Sequence, residues 1–112
     1  MPTIKYADME AVSPSPGMIR REAHTAHMMM VIVDFTEAGA AAPLHQHPHE
    51  QISYIVEGQV HFFLGEGKEQ TVDLVEPGDA IVIPPNVPHS VEVLSETARL
   101  IDCFHPIRED FL

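Results

Sequence analysis

The sequence has no tryptophan, a single cysteine, and only six lysines and arginines against seventeen aspartates and glutamates. With histidine neutral this leaves a formal charge of −11. So acidic a chain, with no basic stripe, is repelled by phosphate backbones, which excludes nucleic acid as a partner. Long apolar runs are missing too. The longest is Met28 to Val33, far short of the ~20 residues a membrane helix needs, so no membrane partner is expected. The opening stretch MPTIKYADME has no basic-then-apolar leader, so no secretory signal is expected. One cysteine, Cys103, cannot form an internal disulfide, which points to a reducing, cytoplasmic setting. At 112 residues and 45% hydrophobic content, one domain with one core and one pocket is the expectation. Two residue types are over-supplied, with eight histidines and ten prolines.

The prolines read as punctuation. Residues 1–17, with Pro14 and Pro16 ahead of Gly17, read as an irregular N-terminal arm, and residues 18–112 as one domain. Short apolar segments follow: Met28–Thr36, Gln51–Val56, Val60–Leu64, Gln70–Leu74, Ala80–Ile83, Ser90–Leu94 and Leu100–Phe104. They are rich in β-branched and aromatic residues, and turn-forming stretches such as EPGD and PPNVP separate them. Short strands at regular spacing predict an all-β sandwich or small barrel.

Three histidines alternate in Pro43-Leu-His45-Gln-His47-Pro-His49-Glu-Gln51. Residues two apart in an extended chain share a face, so His45 and His47 converge. Paired imidazoles suit a borderline-soft divalent ion, although two ligands do not make a site. His89 closes the rigid loop Pro84-Pro-Asn-Val-Pro88 and is a third candidate. The parity of His45 and His47 carries on to Gln51 and Ser53, and that of Glu50 leads away from them.

Gly39-x5-His45-x-His47-x3-Gln51-x6-Gly58 resembles the first cupin motif, and Gly78-x5-Pro84-x-Asn86-x2-His89 resembles the second. The resemblance implies a double-stranded β-helix, a jelly-roll barrel of the small single-domain cupin 2 type that is commonly a homodimer. It also implies one divalent metal, Mn, Fe, Co, Ni, Cu or Zn, held by His45, His47, the position of Gln51, and His89. Gln51 stands where that motif usually has Glu, and Asn86 where the second usually has Gly. Asn tolerates the left-handed backbone a Gly turn needs. With Gln51 in place of Glu, three neutral imidazoles and an amide leave the +2 charge uncompensated, which favours an anionic ligand. Glu50 is the alternative ligand if Pro48 breaks the strand parity, and His49 is expected at the pocket rim.

In Ala98-Arg-Leu-Ile-Asp-Cys-Phe-His105 the parity sends Arg99, Ile101, Cys103 and His105 outward and turns Asp102 and Phe104 inward. A carboxylate placed inside a barrel is costly unless it is paired or protonated, which suggests chemistry. Arg108 is a natural bidentate partner for a carboxylate, either a substrate's or one nearby in the chain (Asp102, Glu109 or Asp110). His61 reads as an ordinary sheet histidine, and Met28–Met30 as core filler or dimer interface. The ending Asp102-Cys-Phe104-His-Pro-Ile-Arg108-Glu-Asp-Phe is similar to that of the pectin-degradation cupins of the KdgF type. That likeness implies linearisation of 4,5-unsaturated uronates, with Asp102 transferring a proton, Phe104 packing on the sugar and Arg108 holding the carboxylate. The alternatives are a metal-dependent dioxygenase and a non-catalytic small-molecule binder.

Overall fold

The computed structural model describes residues 3–112. Ten strands form two antiparallel sheets. They are β1 (Val12–Ser15), β2 (Met18–His24), β3 (Met29–Phe35), β4 (Ala41–His45), β5 (Glu50–Glu57), β6 (Val60–Leu64), β7 (Thr71–Val75), β8 (Ala80–Ile83), β9 (His89–Val93) and β10 (Ala98–His105). One sheet has the order β1-β2-β3-β10-β5-β8, the other β4-β9-β6-β7. A short 3-10 turn at Glu109–Phe111 ends the chain. Among the described residues no helix is long and apolar enough to cross a membrane.

Strand periodicity explains where the core lies. In β3, Met29, Val31, Val33 and Phe35 are all buried while the residues between them are only partly so. They meet Ile55, Val60, Phe62, Val91 and Val93 from the other strands. Each such side chain contributes about 1.5–3 kcal/mol when fully buried. The β5–β6 turn depends on Gly58, whose φ is +85°. A Cβ there would strike the Thr97 carbonyl oxygen and come within 2.8 Å of the Ala98 Cα. Asn86 adopts φ 63°, the left-handed conformation expected of it.

Three strands depart from the sequence-based expectation. Within the segment read as an irregular arm, Val12–Ser15 pairs antiparallel with β2, and the arm's first two residues lie outside the described ones. Pro14 is tolerated because β1 is an edge strand with no further partner. β2 (MIRREAH) carries too many charges to show apolar alternation, and β4 (AAPLH) is short and holds Pro43. Both are recruited by tertiary pairing.

Candidate metal centre

The register of the two sheets assembles the site. In the four-stranded sheet, His45 on β4 is the cross-strand partner of His89 on β9. In the six-stranded sheet, Gln51 on β5 lies opposite Phe104 on β10, and Ser53 lies opposite Asp102. His47 sits on the connection between β4 and β5, and so joins the two sheets at the barrel mouth. The structure brings His45, His47 and His89 together, their ligand-capable atoms all within 4.8 Å of one another. His47 and His89 are buried, and His45 is exposed.

The main chain orients all three rings in the same way. The Nδ1 of His45 bonds the Pro43 carbonyl at 2.7 Å, that of His47 the His49 carbonyl at 3.2 Å, and that of His89 the Val87 carbonyl at 2.9 Å. A carbonyl oxygen only accepts, so each Nδ1 carries the proton and each Nε2 keeps its lone pair for a ligand. The Nε2 of His89 is buried with no hydrogen-bond partner. Burial lowers the His47 pKa and takes that of His89 down to about 4, holding both rings neutral, the form that binds metal. The Nε2 of His47 lies 3.0 Å from the Gln51 Oε1. The three imidazoles therefore suit a divalent transition metal, and Gln51 Oε1 stands beside them next to His47. Glu50 turns outward instead, 3.8 Å from His105. His49 stands beside His47, its ring edge-on at 5.4 Å.

From Gln51 a line of hydrogen bonds leads away from the centre. Gln51 Nε2 donates to Ser53 Oγ at 2.9 Å, and Ser53 donates to Asp102 Oδ1 at 2.7 Å. Desolvation is the main influence on Asp102 and raises its carboxyl pKa to about 6, opposed by the Ser53 bond and by Arg108. Ser53 is completely buried. Replacing it with alanine leaves the Gln51 amide and the Asp102 carboxylate each short of a partner, which costs about 1–3 kcal/mol. A Ser53→Ala variant is expected to show that loss in urea denaturation, and an unchanged midpoint would mean that the chain of bonds carries no stability.

The C-terminal tail closes this cavity. Phe104 packs edge-on against His47 at 5.6 Å and against Phe111 at 5.8 Å. Arg108 is buried, with its Cζ 4.2 Å from the Phe111 ring centre and 5.2 Å from that of Phe104. Its Nε and Nη2 bond Asp110 at 3.0 and 2.8 Å, so of the candidate carboxylates within the chain, Asp110 is the partner. His61 lies outside the cavity, edge-on to Phe63. Cys103 is exposed on the outer face.

Residues 31–104 match the cupin domain family. The chain belongs to the cupins. This cupin is 37% identical over 86 residues to the pectin degradation protein KdgF of Dickeya dadantii, a match covering 76% of this chain and 74% of that protein. The structure of KdgF from a Halomonas species superposes with a TM-score of 0.86 at 35% identity, covering 96% of this chain and 97% of that one. An RmlC-like cupin from Shewanella frigidimarina gives 0.87 at 30% identity, covering 97% and 94%. Oxalate decarboxylase from Bacillus subtilis shares the fold, with a TM-score of 0.85 at 22% identity over 96% of this chain and 30% of that one. Among the charged and aromatic residues that line the cavity, Arg20 and Phe111 have no part in the sequence reasoning. Phe111, in the last turn of chain, has no local signal. Arg20 has one: it shares strand parity with Met18 two residues earlier, but only once Met18–His24 is known to be a strand.

Proposed function

We propose that this cupin is an enzyme that opens the ring of a 4,5-unsaturated uronate or a closely related anionic sugar. The observation that carries the reading is the hydrogen-bonded line from Gln51, beside the histidine cluster, through Ser53 to Asp102 in a cavity walled by Phe104 and Arg108. Similarity to KdgF proteins over most of the chain supports it. His45, His47, Gln51 and His89 are the residues that would hold one divalent metal. Such an ion supplies a Lewis acid that fixes and polarises substrate oxygens.

Ring opening is an isomerisation. The hemiacetal hydroxyl loses a proton as carbon 1 becomes an aldehyde, the bond between carbon 1 and the ring oxygen breaks to leave an enolate at carbon 5, and carbon 4 gains a proton as carbon 5 becomes a ketone. One group able both to take and to give a proton is enough, and a carboxyl with a pKa near 6 exchanges protons readily near neutral pH. Asp102 has that role, Ser53 orients it, and Phe104 offers an apolar face to the sugar. Arg108 holds the substrate carboxylate through the Nη1 left free by Asp110. The test is elemental analysis of the isolated protein followed by assay on unsaturated uronates. Close to one equivalent of metal and loss of the absorbance of the conjugated carbon 4–carbon 5 double bond are expected. Oxygen uptake with an enolic substrate in their place would move the protein to the dioxygenases.

The working form is a cytoplasmic homodimer joined through the outer face of the six-stranded sheet. A groove of about 800 Å³ there is lined by Ile4, Met28, Met30, Ile52 and Val82, and Val82 is 66% exposed. So broad an apolar face on a small domain marks an interface. Sedimentation should give twice the chain mass, falling to one chain in Val82→Asp. A wild-type monomer would refute this.

A further inference from the structure

Among the described residues Arg20 is a cavity arginine that no carboxylate contacts, and the acid that acts on it from a distance, Asp110, is already bonded to Arg108. On β2 it pairs with Val33 of β3, whose side chain is buried in the core, so Arg20 shares the inner face. There it lines the same cavity as His45, His89, Asp102 and Arg108. Among the described residues Arg21 and Arg99 both bond Asp34, at 3.6 and 2.6 Å, and Arg108 bonds Asp110 at 2.8 Å. Among the described residues the Arg20 guanidinium has neither a carboxylate within 4 Å nor a hydrogen bond, and it stacks on the Phe111 ring, 3.9 Å from its Cζ. Arg108 lies 4.2 Å from the same ring. Two guanidiniums therefore share one aromatic side chain at the edge of a cavity, and the carboxylate beside them, Asp110, bonds Arg108 but reaches Arg20 only through space. Guanidinium stays protonated under all ordinary conditions, so a half-buried unpaired one carries a standing desolvation cost. An anion entering the cavity relieves that cost and the repulsion between the two cations together.

The geometry points to Arg20 as the residue that receives the anionic group of the ligand, with the free Nη1 of Arg108 as the second jaw of a two-arginine clamp. Arg20 has a whole fork of donors to offer a carboxylate, whereas Arg108 has already committed one edge to Asp110. The ligand class is a small polyhydroxylated carboxylate, bound with its acid group toward β2 and its hydroxyls toward the histidines. This rests on the uronate reading of the same cavity, but it concerns recognition rather than turnover.

The experiment is titration calorimetry of metal-loaded wild type, Arg20→Gln and Arg20→Lys with D-galacturonate and with D-galactose, which lacks the carboxylate. Wild type should prefer galacturonate. Arg20→Gln should bind galacturonate about 10–100-fold more weakly, the loss of one or two charge-assisted hydrogen bonds, and bind galactose as wild type does. Arg20→Lys should recover part of the preference, which a merely structural role would not allow, and it serves as the test if the glutamine variant does not fold. Wild-type preference in Arg20→Gln, or no preference in wild type, overturns the proposal. A protein that binds galacturonate through Arg20 yet leaves unsaturated uronates unconverted overturns the enzymatic reading alone.

Discussion

Replacing His45 and His89 together by alanine should take the purified protein from close to one equivalent of divalent metal to under about a tenth, because a single imidazole and a neutral amide remain. The two are cross-strand partners in one sheet, so the double change strips one whole side of the site and leaves His47 and Gln51, from the other side, unopposed. A large collapse of the fold is not expected. His45 is exposed, and among the described residues each ring gives up only its Nδ1 bond to a nearby main-chain carbonyl. The loss should also appear as a change in linkage. A ligand that binds only the folded state at about 1,000 times its dissociation constant stabilises by ~4 kcal/mol. In a domain of this size that is worth more than about 10 °C in melting temperature. Wild type stripped with a chelator should recover that rise when metal is returned, and the double variant should melt at one temperature with or without it. Stoichiometric metal in the double variant would remove the site.

How much of the fold and the site is legible in the sequence follows from which interactions are local. The alternation of His45 and His47 is a strand period, and so is the inward turn of Asp102 beside Phe104; both can be counted along the chain. The inward turn of Gln51 and Ser53 follows from the same rule, which also sends Glu50 outward. Pro48 does not disturb it, because β5 begins after the proline. By contrast, the pairing of Ser53 with Asp102 depends on the register of two strands far apart in sequence, and no local rule fixes register across so long a loop. Arg20 is hidden for a related reason. Met18–His24 is a strand because β3 pairs with it along its whole length, not because its own residues favour one, so neither its parity nor its inward charge stands out in the sequence. Arg108 is ambiguous in sequence between a substrate and a neighbouring acid, and the tail's 3-10 turn resolves that by setting Asp110 against one edge of it.

Changing Asp102 to asparagine should separate chemistry from assembly. The amide keeps the shape and can still accept the Ser53 hydrogen bond, so metal content should stay at the wild-type level. It can no longer pass a proton, and turnover of an unsaturated uronate should fall by about 10²–10⁴-fold, the usual worth of a positioned acid–base group. Stability should move the opposite way. Asp102 titrates near 6 in the folded chain against 3.8 in the reference state, since burial raises it. The folded protein therefore holds that proton more tightly than the unfolded chain between those values. Its stability accordingly falls as pH rises from about 4 to about 6, and the penalty persists above. At ~1.4 kcal/mol per pH unit the ceiling is about 3 kcal/mol. Metal-free Asp102→Asn, which has no charge to bury, should then melt above metal-free wild type at pH 7.5, and the gap should close below pH 4. A carboxylate retained at a cost to the fold, and lost with turnover but not with metal, belongs to an enzyme. A variant with unchanged turnover would leave this cavity as a binding site without proton chemistry.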